Sequence, residues 1–213
     1  MKKALLPLLV LLALVISPIA RGDSDVKAPP SDQVIRQLLE GNERFVAQKA
    51  THPDSAPSDA AQHPLAVILS CSDSRVPPEM VFDQGVGKLF VVRDAGNTYD
   101  RLALLSIDYA VEHLGTRLIL VMGHDQCGAV TAAVKAYPQP KLGPVVENIY
   151  PAVRAAEKMP GDKVSNAIDE NAILMAQKLC KEPEFAKMIA SHELTILPAR
   201  YNLATGRVRI LQK

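Results

Sequence analysis

Three uninterrupted apolar runs stand out in the middle of the chain: Leu65-Ala66-Val67-Ile68-Leu69, Leu89-Phe90-Val91-Val92 and Leu118-Ile119-Leu120-Val121-Met122. The first has no polar alternation, which predicts a strand buried on both faces, and the other two repeat its pattern. Each run stops at a polar pair: Ser70-Cys71, Arg93-Asp94 and Gly123-His124. Helical periodicity fills the intervals, first a short turn over Pro77–Phe82, then Asp100–Leu114 closed by Gly115. Ahead of the first strand, Ser31 or Asp32 is expected to cap a helix running to about Lys49. Val34, Ile35, Leu38, Leu39, Phe45 and Val46 give that helix one apolar face. After the third strand come Cys127–Ala136, Val145–Lys158, Asn166–Leu179 and Glu184–Ala190, all helical in pattern. Leu194–Ala199 and Val208–Leu211 are strand-like, with a turn near Ala204-Thr205-Gly206. This alternation predicts one α/β domain over residues 31–213. Its expected form is a mostly parallel central β-sheet flanked by helices, with an N-terminal helical arm and a C-terminal edge hairpin.

The first 22 residues follow a different logic. Met1-Lys2-Lys3 is basic, Ala4 to Ile16 is apolar, and Ser17-Pro18-Ile19-Ala20-Arg21-Gly22 ends on small residues. That is the three-part layout of a secretory signal peptide, with residues 23–30 as a polar linker behind it. The apolar run would span about 20 Å as a helix, short of the roughly 30 Å hydrocarbon core. The expectation is therefore an exported, periplasmic protein. An uncleaved inner-membrane anchor facing the periplasm is the alternative.

Charge excludes one class of partner. Lys+Arg is 24 and Asp+Glu is 23, and no basic tract interrupts the balance, so no nucleic-acid partner is expected. Hydrophobic residues make up 48% and charged residues 22% of the chain, enough apolar material to bury a core. Cysteine usage is odd for an exported chain: only Cys71, Cys127 and Cys180, too few for a disulfide scaffold.

The strand ends carry the chemistry. Cys71, Asp73 and Arg75 follow the first strand, and His124 and Cys127 follow the third. Ligands of parallel α/β sheets gather outside the carboxyl ends of the strands, so both groups fall on one rim. Two thiols and an imidazole suit tetrahedral zinc, with Asp73 or water as a fourth ligand. A Cys71–Cys127 disulfide competes with this reading, but it leaves Asp73, Arg75 and His124 without a role. Cys180 and the histidines at 52, 63, 113 and 192 read as ordinary structural or surface residues.

Cys71-Ser72-Asp73-Ser74-Arg75-Val76 and Gly123-His124-Asp125-Gln126-Cys127-Gly128 together resemble the β-class carbonic anhydrases. Phe82-Asp83-Gln84-Gly85, Val91-Val92-Arg93-Asp94-Ala95-Gly96-Asn97 and Ala199-Arg200-Tyr201-Asn202-Leu203-Ala204-Thr205-Gly206 extend the resemblance to most of the chain. It implies one Zn2+ per chain on Cys71, His124 and Cys127, with Asp73 and Arg75 as a catalytic dyad beside it. It also implies a substrate-side Gln62, and Phe90 and Tyr109 as wall positions, although plain packing explains two aromatics equally well. The implied reaction is reversible hydration of CO2 to bicarbonate and a proton, by attack of zinc-bound hydroxide. The implied assembly is a homodimer or a dimer of dimers with the substrate cleft at the subunit interface. The regulatory bicarbonate site of some relatives uses a Trp and a Gly before the first cysteine. Leu69 and Ser70 stand there instead, and the chain has no Trp.

Two other readings share these residues. One is a CS2 or carbonyl sulfide hydrolase on the same scaffold, separated from the first only by access to the metal. The other is a non-catalytic zinc-binding protein, which would need four closed ligands and no dyad.

Overall fold

The computed structural model describes residues 28–51, 61–139 and 143–212. The expected signal peptide and most of its linker, together with His52, lie outside the described residues. Within them no helix is long and apolar enough to cross a membrane.

Five strands form one sheet in the order β2-β1-β3-β4-β5. Strands β1 (Ala66–Ser70), β2 (Leu89–Arg93), β3 (Leu118–His124) and β4 (Thr195–Tyr201) are parallel. Strand β5 (Val208–Ile210) returns antiparallel on β4 as the expected edge hairpin. All of β1 and β3 is buried, as their unbroken apolar runs require, whereas β2, at the sheet edge, is half-buried throughout. Strand β4 runs two residues past the expected Ala199, because its parallel ladder with β3 continues to the pair His124 and Tyr201.

Alternate residues of the central strands serve opposite faces. Val67, Leu69, Ile119 and Val121 pack toward helices α3 (Arg101–Glu112), α6 (Lys163–Leu179) and α7 (Pro183–Ala190). Ala66, Ile68, Leu118, Leu120 and Met122 pack toward α1 (Ser31–Val46) and α2 (Pro78–Val81). A third apolar cluster, at the carboxyl ends of the strands, joins Cys71 and Cys127 to Val130 and Ala133 of α4 (Gly128–Ala136). Ile149 and Val153 of α5 (Pro144–Ala156) and Ala167 and Ile168 of α6 complete it.

Helix ends show where local chemistry departs from expectation. Asp100 caps α3 as its type suggests, accepting from Leu102 N and Ala103 N at 2.9 Å each. Neither Ser31 nor Asp32 caps α1. Pro30 holds the cap position, and the Ser31 hydroxyl donates instead to Arg117 O at 2.8 Å, tying α1 to the start of β3. The helix stops three residues before Lys49 because Gln48 turns left-handed at φ 56° and Lys49 N bonds back to Arg44 O. Gly41 and Asn42 set how closely α1 lies on the domain. A Cβ at position 41 would sit 1.8 Å from Phe82 O. Buried Asn42 donates to Val81 O and Gly206 O and accepts from Val208 N.

Candidate metal centre

The chain steps from β1 to β2 on one side and later to β3 on the other, so the order reverses between β1 and β3. Such a switch point opens a crevice at the carboxyl ends of the strands. Cys71 follows β1, His124 ends β3, and Cys127 precedes α4, so all three reach that crevice. Their ligand atoms lie within 4.8 Å of one another, and all three side chains are buried.

The geometry decides between disulfide and metal. Cys71 Sγ and Cys127 Sγ are 4.0 Å apart. A disulfide needs about 2.05 Å, while two zinc–sulfur bonds of about 2.3 Å at a tetrahedral angle put the sulfurs about 3.8 Å apart. His124 supplies a second test. Its Nδ1 lies 2.8 Å from Asp125 O, an acceptor, so that nitrogen carries the proton. Nε2 is then a bare lone pair, fully buried and without a hydrogen-bond partner. An orphaned imidazole nitrogen facing two thiols is a poor packing arrangement and a good metal ligand set. The Cys71 thiol is held well below its usual range, first by the hydrogen bond from Cys127. Burial opposes the shift, while His124 and the Gly96 N–H add to it.

Asp73 lies beside this cluster without joining it. Arg75 grips both carboxylate oxygens, Nε on Oδ1 at 2.9 Å and Nη2 on Oδ2 at 2.7 Å, and its backbone N also bonds Oδ1 at 3.0 Å. That guanidinium holds the Asp73 carboxyl far below the ordinary carboxylate range. Asp73 Oδ2 is 3.9 Å from His124 Nε2, beyond a hydrogen bond but adjacent to the ligand face.

Three supports were not recognised in the sequence. Arg93, at the end of β2, donates to Cys71 O at 3.0 Å and Asp73 O at 2.6 Å, so one side chain fixes both the ligand loop and the dyad loop. Gly96, in the 3-10 turn Ala95–Asn97, donates its N–H to Cys71 Sγ at 3.3 Å. Arg200 of β4 bonds Asp125, Asp169 and Ser165, which anchors the residue whose carbonyl holds His124. Arg93 and Gly96 were visible as a polar stretch at a strand end, on the same rim as the cysteines. Arg200 sits inside a strand, and its partners became apparent only from the pairing of β3 with β4.

The remaining expected site residues lie elsewhere in the chain. Gln62 is exposed before the amino end of β1, whereas Cys71 follows its carboxyl end. At about 3.3 Å per residue the five-residue strand alone separates them by about 16 Å. Phe90 pairs in register with Val67, well short of the rim, and its ring lies 6.4 Å from that of Tyr109. The structure brings Phe90 and Tyr109 together, but not to their own chain's cysteines.

Comparison with known proteins agrees with this geometry. Residues 66–208 match the carbonic anhydrase family model. Carbonic anhydrase 2 of Mycobacterium tuberculosis is 40% identical over 187 residues, covering 81% of this chain and 88% of that protein. A Coccomyxa β-carbonic anhydrase, solved in complex with acetazolamide, superimposes with a TM-score of 0.62 at 25% identity, over 85% of this chain and 83% of that one. A tetrameric β-carbonic anhydrase from Sordaria macrospora shares the fold at 22% identity, with a TM-score of 0.63 over 85% of this chain and 98% of that one. A parallel sheet with a buried Cys2His cluster at its switch point, a match over most of the domain and these relatives define the class. The chain belongs to the carbonic anhydrase family, in its β class.

Proposed function

We propose that this chain binds one zinc ion through Cys71, His124 and Cys127 and catalyses the reversible hydration of CO2 to bicarbonate. The observation that carries the reading is the orphaned, buried His124 Nε2 facing two thiols beside an ion-paired carboxylate. A bound zinc ion polarises water and makes it a nucleophile near neutral pH. The chain's own groups supply the rest. Cys71, whose thiol is held below its usual range, and the Nε2 opposite the proton-bearing Nδ1 are placed to ligate. Asp73, kept ionised by Arg75, is an acceptor aimed at the ligand face, where it takes a hydrogen bond from the attacking water and orients it toward carbon. Arg93 keeps that acceptor in register with the cysteine by gripping the carbonyls of both residues. Arg75 is half exposed, so the dyad borders solvent, the route by which the released proton leaves.

The non-catalytic alternative conflicts with Asp73. A closed structural site takes four protein ligands, and here the nearest fourth candidate has both oxygens engaged by Arg75.

Assembly as a homodimer or dimer of dimers is our reading of the placement of Gln62, Phe90 and Tyr109. They can line a substrate pocket only opposite the metal centre of a neighbouring subunit. The surface beside them supports that reading: β2 has an open edge, and Leu102, Leu105 and Tyr109 of α3 are 72%, 49% and 44% exposed along one stripe. We assign the mature protein to the periplasm on the layout of residues 1–22, with membrane anchoring through the same residues as the alternative. Stopped-flow CO2 hydration, measured with metal content before and after chelation, tests the reading. Full activity in metal-free protein would overturn it.

A further inference from the structure

Helix α6 packs behind the metal centre, and its middle carries a buried polar residue. Asn171 is completely buried among Ala172, Met175 and Ala176 on an otherwise apolar face. Asn is a mediocre helix former, and burying its amide costs free energy unless its polar atoms are bonded. Only one of them is. Nδ2 donates to Gly96 O at 2.7 Å, across 75 positions of sequence, while Oδ1 is buried without a partner. Because Gly96 presents a carbonyl, the nitrogen must be the atom that faces it.

Gly96 is the residue whose N–H donates to Cys71 Sγ at 3.3 Å. It sits at φ 70° and ψ 25°, and a Cβ there would meet Ile149 Cδ1 at 2.8 Å and Ala129 Cβ at 3.2 Å. Glycine is therefore required, and glycine is also the residue least able to hold its own peptide in place. The bond from Asn171 to the Gly96 carbonyl supplies that restraint from outside the turn.

We propose that Asn171 is a positioning residue for the metal centre. Through Gly96 it holds a backbone N–H against the Cys71 sulfur and so limits how strongly that thiolate donates to a bound metal ion. This rests on the zinc reading above. Two thiolates offset the charge of a zinc ion. A hydrogen bond to one sulfur withdraws part of that donation and leaves the ion the stronger Lewis acid. Losing the bond weakens the ion as an acid, so CO2 hydration should require higher pH.

The test compares wild type with Asn171→Ala and with Asn171→Leu, which keeps the volume but not the donor. Cobalt(II) replaces zinc for spectroscopy. Both variants are expected to bind one metal per chain, with affinity lowered about 10–100-fold in competition with a chelator. Their thiolate-to-cobalt charge-transfer band moves to lower energy, and the acid limb of hydration in the zinc form moves to higher pH. A purely structural role would lower the melting temperature and move neither the band nor the limb; that result overturns the proposal alone. A cobalt wild type without a thiolate band overturns the zinc reading and the proposal with it. If neither variant folds, the wild type decides. In the cadmium-113 form, the Gly96 amide proton should show scalar coupling to the metal through Cys71 Sγ, and absence of coupling overturns the relay.

Discussion

Cys71 Sγ and Cys127 Sγ face each other at 4.0 Å across the crevice between β1 and β3, at the separation of two ligands on one ion. Each sulfur is delivered by a different element, one by the end of a strand and one by the start of a helix. Metal removal therefore leaves two adjacent buried thiols and a bare imidazole nitrogen with nothing to bind. We expect one zinc per chain in the purified protein, and loss of both zinc and activity after chelation. Cys127→Ala should lose zinc as well. Elemental analysis checks this, and full zinc in Cys127→Ala would exclude the ligand assignment.

The dyad should separate chemistry from metal binding. Asp73→Asn removes the anionic acceptor, and Arg75→Ala releases it from the two guanidinium hydrogen bonds while leaving the backbone one, and neither replaces a metal ligand. Both variants are expected to retain zinc and lose about 10²–10⁴-fold in hydration rate, the usual cost of a displaced acid–base or orienting group. Near-normal turnover in either would reduce the pair to a structural bridge.

Asn42 offers a test away from the site. Its side chain satisfies Val81 O, Gly206 O and Val208 N, joining α1 to α2 and to the β4–β5 hairpin. Asn42→Ala leaves the buried Val81 carbonyl and two half-buried backbone groups unpaired and should cost about 1–3 kcal/mol in denaturant unfolding. Zinc content should not change. An unaffected midpoint would show that water replaces the side chain.

Why the site was legible in the sequence, and where it was not, is itself physical. Strands buried on both faces have a strong one-dimensional signature, and parallel topology puts their carboxyl ends together, so the sequence alone places Cys71 and His124 on one rim. Asn171 and Arg200 had no comparable signal, and Arg93 showed only as a polar residue at a strand end. Each acts through a backbone carbonyl or a distant carboxylate, at separations of 75, 22 and 75 residues, that only the folded register defines. Helix capping at α1 failed for the same reason: Ser31 has a better long-range partner in Arg117 O than the local one its type suggests. Gln62 is the converse case, a residue whose expected role the single chain cannot fulfil.

That separation makes oligomerisation testable through catalysis. Leu102→Arg with Leu105→Arg places charge on the exposed stripe of α3 without entering the core. If Gln62, Phe90 and Tyr109 act at a neighbour's metal centre, the double variant should sediment as a monomer, keep its zinc and lose most of its activity. A fully active monomer at assay concentration would rule the shared cleft out.

The pH response distinguishes two titrating groups. Arg75 depresses the Asp73 carboxyl far below its ordinary value. A depressed folded-state value means that the ion pair's contribution to stability is complete above the ordinary carboxylate range. It declines as pH falls from that range toward the folded value and is gone below it, in strong acid. Asp73 therefore keeps one charge state across the neutral range. Two thiolates around a zinc ion leave its water less acidic than a histidine-only site does, so that water titrates on the alkaline side of neutrality. CO2 hydration should rise from about pH 6 to about pH 9, with bicarbonate dehydration showing the complementary fall. Asp73→Asn should lower the whole curve and remove the acid-side loss of stability attributed to the ion pair. Stopped-flow profiles and unfolding midpoints of both proteins across this range and into acid make the comparison. A flat hydration profile in wild type would contradict the two-thiolate argument.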